Sequence, residues 1–282
     1  MRASEPFPAS TPRASLLAFL GLAFALSWAI EIPLALQARD VVQLGLPDAL
    51  HYLASFGPML AALLVARVGG GGALRRLLGG LARWRVAPRY ALFAVGAPLA
   101  LFALAGLVSA LLGAAPDLGH LGEVDGLPNL GALGALALWL ATFGVGEELG
   151  WRGFALPRLQ ASLTAWRATL VLGVAWAAWH LPAFFYRPTY RAMGPAGFVA
   201  FSVSILAASV VFTWLFNATG GSVLVVALFH GLFDFLSVTP AGSDVTPVLM
   251  SALVVACALI VARRYGPDTL APGERVVEPT AT

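Results

Sequence analysis

Ionisable side chains interrupt stretches of this 282-residue sequence that are otherwise apolar. They are Glu31, Glu147, Glu148, Arg152, His180, His230 and Asp234. A charge inside a bilayer costs roughly 2.5–3.5 kcal/mol on insertion scales, so membrane proteins tend to keep one only where it has a use. A glutamate and a histidine can together deprotonate water, and a histidine with a neighbouring polar group can stabilise an oxyanion. These residue types therefore indicate hydrolysis of an amide bond within the membrane.

Helical spacing sorts these groups into pairs. Glu148 and Arg152 are four residues apart and can form an ion pair on one helix face. Glu147 is rotated by about 100° from Glu148, which leaves it unpaired and suited to act as a general base. His230 and Asp234 share the same spacing on another run, where the carboxylate would orient the ring.

A metal mechanism is the alternative, and it would use the same side chains. Two histidines and carboxylates can hold Zn²⁺, which then activates the water. The candidate ligands are Glu147, His180 and His230. Metal-independent glutamate chemistry is the interpretation that we favour.

Composition defines the class of protein that carries these residues. Hydrophobic residues make up 59% of the chain and charged residues only 11%, whereas soluble domains carry about 25% charged residues. Several apolar runs reach the ~20 residues needed to cross a bilayer as a helix. The sequence therefore predicts an all-α polytopic membrane protein, with no nucleic acid among its partners.

The apolar runs give about eight transmembrane helices. They cover residues 16–36, 51–68, 90–114, 130–157, 166–186, 197–216, 222–238 and 246–262. The predicted organisation is a disordered tail (1–14), three helices with a basic amphipathic cytoplasmic segment at 69–89 (15–129), a catalytic core of four helices (130–240), a last helix (241–265) and a disordered tail (266–282). A basic loop that only sets topology is an equally good interpretation of 69–89.

Arginine placement predicts the orientation. All 17 basic residues are arginine, and thirteen of them lie in segments that are cytoplasmic if both termini are inside, against three in the outer loops. This bias is the positive-inside pattern of a multi-pass protein in the cell membrane. In this arrangement Glu147, His180 and His230 share one layer below the cytoplasmic surface. Glu31, near the outer end of the first helix, is expected to extend to the interface.

Glycines surround the two adjacent glutamates. Gly146 and Gly150 form a GxxxG pair, and Gly144 and Gly153 extend the surface of small residues. Such surfaces let a neighbouring membrane helix approach closely. We expect this packing to fix the carboxylates.

Three motifs resemble those of the CAAX-protease and bacteriocin-processing family, which includes the type II CAAX prenyl endopeptidases and the Abi proteins. The family pattern EExxxR corresponds to Glu147–Arg152, FxxxH to Trp176–His180 with tryptophan in place of phenylalanine, and HxxxN/D to His230–Asp234. The resemblance covers roughly residues 130–240. It implies an intramembrane endopeptidase with a conical cavity open to the cytoplasm and a membrane-associated, prenylated or leader-bearing peptide as substrate.

The same resemblance implies a role for each motif residue. Glu147 and His180 would activate water, and His230 with Asp234 would stabilise the oxyanion. Glu148, Arg152 and Trp176 would support them. A proton-coupled transporter and a non-catalytic membrane scaffold are the alternatives, because intramembrane Glu, His and Asp also build proton relays.

Overall fold

The computed structural model describes residues 12–70 and 72–277. Every regular element in these ranges is helical. The α-helices are α1 Pro12–Gln37, α2 His51–Ala54, α3 Gly57–Val68, α4 Ala73–Leu81, α5 Pro88–Leu111, α6 Gly131–Trp139, α7 Glu148–Gly150, α8 Leu156–Gln160, α9 Ala165–Trp179, α10 Ala183–Tyr186, α11 Pro188–Ala218, α12 Val223–Val238 and α13 Thr246–Thr269.

Seven helical segments among the described residues are long and apolar enough to cross a membrane. They are Arg13–Gln37, Asp48–Val68, Pro88–Leu111, Gly131–Gln160, Ala165–Tyr186, Pro188–Ala218 and Thr246–Thr269. The remaining predicted helix, 222–238, corresponds to α12, whose 16 residues extend over about 24 Å at 1.5 Å per residue. The prediction of a polytopic, all-helical membrane protein is confirmed, with one helix shorter than the ~30 Å hydrocarbon core.

The helical segment Gly131–Gln160 contains two π-helical stretches. Between α6 and α7, residues Leu140–Glu147 form a π-helix, and Trp151–Ala155 form a second one before α8. A π-helix has wider turns than an α-helix and is rare in proteins. The π-helical turns that do occur are frequently at functional sites. Both ends of the EExxxR motif therefore lie in wide turns, which an α-helical interpretation of the sequence does not anticipate.

Close helix packing accounts for the glycines of this segment. A Cβ atom added at Gly150 would lie 2.6 Å from the main chain of Pro58 in α3. At Gly146 it would lie 3.0 Å from the main chain of the transmembrane segment Asp48–Val68, to which α3 also belongs. At Gly144 it would lie 2.7 Å from the carbonyl oxygen of Ala227 in α12. The predicted close approach is confirmed, and it holds the two glutamates between α3 and α12.

The chain ends differ from the predicted tails. Helix α1 begins at Pro12, inside the predicted tail 1–14, of which residues 1–11 lie outside the described part. At the other end, the prediction of a disordered tail from residue 266 is wrong for 266–277, because this stretch packs on the helix ends. Leu270 is fully buried, Gln160 donates to the carbonyl oxygen of Val276 (2.7 Å), and Asn217 donates to that of Thr269 (2.8 Å). Residues 278–282 lie outside the described part.

The basic segment 69–89 contains one helix, α4. Leu77 is buried on its inner side, whereas Arg75 and Arg76 are exposed. The remainder up to Pro88 is non-helical and is tied to the α11–α12 turn by a hydrogen bond from Ser222 to the carbonyl oxygen of Arg83 (2.6 Å). The segment is therefore an amphipathic helix followed by an anchored loop.

Candidate active site

Glu147 ends the first π-helical turn and is 1% exposed. Its Oε2 accepts a hydrogen bond of 2.6 Å from the indole Nε1 of Trp176 in α9. Its Oε1 is buried, and none of the described side chains or main-chain groups donates to it. The carboxylate is thus oriented at one oxygen and keeps an acceptor at the other.

Glu148 points to a different set of partners. Its Oε1 accepts a hydrogen bond of 2.8 Å from Arg152, and both side chains are completely buried. Arg152 also donates to the hydroxyl of Ser209 (3.1 Å), and its guanidinium lies over the rings of Trp176 and Phe212 at 4.4 and 4.7 Å. The predicted i,i+4 ion pair is present, and two aromatic faces stabilise its positive partner.

His180 follows directly after α9 and is half-buried. Its Nδ1 lies 2.7 Å from the carbonyl oxygen of Trp176. A carbonyl oxygen only accepts, so Nδ1 carries the hydrogen, and in the neutral ring Nε2 holds the lone pair. The rings of Trp176 and Phe201 flank the imidazole at 5.6 and 5.1 Å. The ring is therefore fixed in the tautomer that a base at Nε2 requires.

His230 in α12 lies between two carboxylates. Its Nε2 is 3.2 Å from Oδ2 of Asp234, the predicted i,i+4 partner. Its Nδ1 is 2.9 Å from Oε1 of Glu148, within ion-pair range but without a hydrogen bond. Both ring nitrogens therefore face a carboxylate oxygen. The Asp234 side chain is 26% exposed, so the Nε2 side of the ring is nearer to the outside of the site than the Nδ1 side.

Trp176 connects these groups. The indole donates to Glu147 and contacts the rings of His180 and His230 at 5.6 and 5.4 Å. Three of the four residues predicted to be catalytic, Glu147, His180 and His230, thus contact one indole directly. The fourth, Asp234, contacts His230. The family resemblance assigned Trp176 only a supporting role, and its hydrogen bond to Glu147 was missed because phenylalanine, the usual residue at that motif position, has no N–H.

The first helix contributes residues that the sequence did not assign to the site. Trp28 in α1 donates a hydrogen bond of 3.0 Å to the carbonyl oxygen of Trp179, the residue before His180. The expectation that Glu31 extends to the interface is wrong: it is 2% exposed and accepts a hydrogen bond of 3.1 Å from Tyr186. The hydroxyl of Tyr186 is also 2.6 Å from Nδ1 of His51. In the sequence, only the apolar residues next to Glu31 and His51 indicated that these two side chains are buried.

The donor set can be tested against the zinc alternative. A zinc site uses at least three protein ligands. Within the described residues, no three His, Cys, Asp or Glu side chains are grouped so that they could hold a metal ion. Of the candidates Glu147, His180 and His230, the last has both ring nitrogens directed at carboxylates. The described residues therefore do not fit a zinc site.

The helical fold defines a multi-pass membrane protein, and its buried site gathers two glutamates and two histidines. Residues 129–236 match the family model described as Rce1-like, type II CAAX prenyl endopeptidase Rce1-like. The chain is also 30% identical over 131 residues to CAAX prenyl protease 2 of Methanococcus maripaludis. That alignment covers 44% of this chain and 47% of the relative, so the chain spans about half the length of the curated relative that it matches. The resemblance predicted from the three motifs is confirmed for this segment.

Proposed function

We propose that this protein is an intramembrane endopeptidase that hydrolyses a peptide bond in a membrane-associated substrate. The observation that carries the proposal is the Glu147 carboxylate, which Trp176 orients at one oxygen while the other stays buried without a donor among the described residues. The family match over residues 129–236 supports the same chemistry.

Glu147 is the proposed general base. Its Oε1 accepts a proton from a water molecule as the water oxygen attacks the carbonyl carbon of the scissile bond. His180, whose Nε2 holds the lone pair in the neutral ring, accepts a hydrogen bond from the second hydrogen of that water. When the C–N bond breaks, the proton on Glu147 passes to the leaving amine, which restores the carboxylate. The reaction needs no further co-reactant.

His230 is the proposed donor to the oxyanion. Its Nε2–H faces Asp234, which is partly exposed, and the developing negative charge on the substrate oxygen would share this donor. The contact with Glu148 holds the Nδ1 side of the ring. Glu148 and Arg152 are proposed to be positioning residues, because they neutralise each other and contact the site through His230 and Trp176.

The remaining features of the proposal concern the surroundings of the site. We infer that it works without a metal ion, that a conical cavity leads to it from the cytoplasm, and that both termini are cytoplasmic in the cell membrane. Since the relative is named a CAAX prenyl protease, a prenylated CAAX peptide is the first substrate to test. A leader-bearing membrane peptide is the second.

The test uses the purified full chain in lipid nanodiscs with these two peptides. Products are identified by mass spectrometry in H₂¹⁸O, which labels the new carboxylate only if water cleaves the bond. We expect Glu147→Gln to lower the rate by about 10²–10⁴-fold, the usual contribution of a general base. Glu123→Gln, in an exposed loop, is the matched control and should cleave normally.

Equal cleavage by Glu147→Gln and the parent would overturn the assignment of the base. If neither peptide is cleaved, pH-driven solute flux in proteoliposomes would favour the transporter. An unchanged cellular phenotype of Glu147→Gln would favour the scaffold.

A further inference from the structure

Three polar side chains that the proposed mechanism does not use meet beside the candidate active site. They are Glu31 of α1, His51 at the start of α2 and Tyr186 at the end of α10. Glu31 is 2% exposed, Tyr186 is buried, and the side chain of His51 is 12% exposed. The hydroxyl of Tyr186 lies 3.1 Å from Oε1 of Glu31 and 2.6 Å from Nδ1 of His51. One tyrosine thus links a buried carboxylate to an imidazole.

The single hydroxyl hydrogen of Tyr186 decides which nitrogen of His51 carries a hydrogen. A carboxylate oxygen only accepts, so Tyr186 donates this hydrogen to Glu31. The contact of 2.6 Å with Nδ1 then needs a second hydrogen, which His51 supplies. Oε1 of Glu31 is also 3.6 Å from Nδ1, and a negative oxygen at this range favours a hydrogen on that nitrogen. In the neutral ring, Nε2 therefore holds the lone pair.

The ring of His51 lies between two elements that carry residues of the site. Its centroid is 5.9 Å from that of Phe143, which precedes Glu147 by four residues in the same π-helix. On another side it is 5.7 Å from the ring of Tyr186, six residues after His180. His51 is also near enough to His180 for their charges to interact. Among the described residues, only Nδ1 of this ring has a hydrogen-bond partner, so Nε2 is the nitrogen that can meet a peptide.

We propose that Nε2 of His51 accepts a hydrogen bond from a main-chain N–H of the bound peptide, and that Tyr186 and Glu31 are positioning residues that keep the ring in the accepting tautomer. A peptide that enters a site within the membrane loses its hydrogen bonds to water, and a buried N–H without an acceptor is costly. His51 would therefore bind the main chain and would not select a side chain. This inference rests on the proposed peptidase function and adds a binding residue to it.

The first experiment determines the tautomer without substrate. The full chain in lipid nanodiscs is labelled with ¹⁵N in the rings of its four histidines, and the signal lost in His51→Gln is that of His51. Near neutral pH we expect a hydrogen on Nδ1 and none on Nε2. In Glu31→Leu the hydroxyl hydrogen of Tyr186 can turn to Nδ1, so the ring hydrogen should move to Nε2. A hydrogen on Nε2 in the parent would overturn the proposal, as would an unchanged tautomer in Glu31→Leu.

The second experiment measures cleavage of the peptide that the parent protein hydrolyses. His51→Ala should raise KM by about 3–10-fold, the effect of one net hydrogen bond. The kcat should stay within about twofold, because the contact holds the peptide equally before and during the reaction. His51→Gln keeps an acceptor near the position of Nε2 and should restore most of the affinity. Tyr186→Phe should raise KM in the parent but not in His51→Ala, since the hydroxyl acts through the ring. The matched control is His120→Ala, which removes an exposed loop histidine and should leave both constants unchanged.

Each outcome separates this binding role from the proposed function. An unchanged KM in His51→Ala, with cleavage intact, would overturn the binding role and leave the peptidase function standing. Equal losses in His51→Ala and His51→Gln would also overturn it, because they would assign His51 to the packing of α2. If the parent cleaves neither peptide, the proposed function fails and the binding role fails with it. Should His51→Ala not fold, Tyr186→Phe carries the same test, because it removes only a hydroxyl.

Discussion

The buried pair of Glu148 and Arg152 allows a stability effect to be worked out from the structure. Both side chains are fully buried and joined by a hydrogen bond of 2.8 Å. Replacing Arg152 with methionine keeps a long, flexible side chain but leaves the Glu148 carboxylate without its cation. Breaking a buried pair in this way costs about 3–5 kcal/mol. The equilibrium constant for unfolding should therefore rise by roughly 10²-fold to several thousandfold.

A second substitution separates the lost cation from lost packing. In Arg152→Met/Glu148→Gln no uncompensated charge remains, and the glutamine oxygen can still face Nδ1 of His230. We expect the double variant to recover at least about 2 kcal/mol, since neutral replacements of a buried pair are often tolerated. The assay is reversible unfolding in mixed micelles, followed by tryptophan fluorescence, because Trp151 and Trp176 are both buried.

The control for this experiment is Arg167→Met, which removes an exposed arginine at the start of α9. Its unfolding free energy should change by less than about 0.5 kcal/mol. A change of that size in Arg152→Met would refute the reasoning. So would a double variant that is no more stable than Arg152→Met, because the loss would then come from packing and not from the unpaired carboxylate.

Four further outcomes can be checked. Gly150→Ala should destabilise the protein by about 1–3 kcal/mol in the same unfolding assay, because the new Cβ would lie 2.6 Å from Pro58. Trp176→Phe removes the donor to Glu147 and should lower kcat by about 10–100-fold with little change in KM, the effect of a hydrogen bond to a charged group worth ~1.5–3 kcal/mol. Asn217→Ala should release the C-terminal segment, seen as faster hydrogen exchange at residues 270–277. Dialysis against 1,10-phenanthroline should leave peptide cleavage unchanged, since the described site does not fit a metal.

The chain offers matched controls for two of these substitutions. Gly21→Ala, with open space around the new Cβ, should not destabilise, and Trp84→Phe, at an exposed position, should leave kcat unchanged. A stable Gly150→Ala variant would argue against the close packing, and a normal kcat in Trp176→Phe against the role of the indole. Unchanged exchange in Asn217→Ala would mean that other contacts hold the segment. Loss of cleavage with chelator, restored by zinc, would contradict the metal-independent mechanism.

The sequence predicted those features that depend on local spacing. The i,i+4 pairs of Glu148 with Arg152 and of His230 with Asp234 follow from helical geometry, and both are present. The apolar runs likewise predicted the spans to within a few residues at most ends. Local rules suffice here because the residues concerned lie on one helix.

Features set by contacts between distant segments were not predictable. Glu31 meets Tyr186 across 155 positions of the sequence, and the C-terminal segment is held by side chains more than fifty residues away, such as Asn217. The π-helical turns also escaped prediction, because no periodicity in the sequence marks a turn that tertiary packing widens. For Glu31 and Asn217, a lone polar residue in an apolar run was the only available signal, and it does not identify the partner.

The hydrogen bond from Trp28 to the carbonyl oxygen of Trp179 shows that the segment matched by the family model, residues 129–236, depends on a contact from outside it. Trp28 belongs to α1, which lies far outside residues 129–236, yet it holds the main chain next to His180. An excised fragment of 129–236, or a chimaera that grafts it onto foreign helices, would lose this contact and the surfaces of the span Asp48–Val68 that receive Gly146 and Gly150. The site therefore does not form from residues 129–236 alone. A chimaera between relatives should form the site only when it also contains the first two membrane-spanning segments.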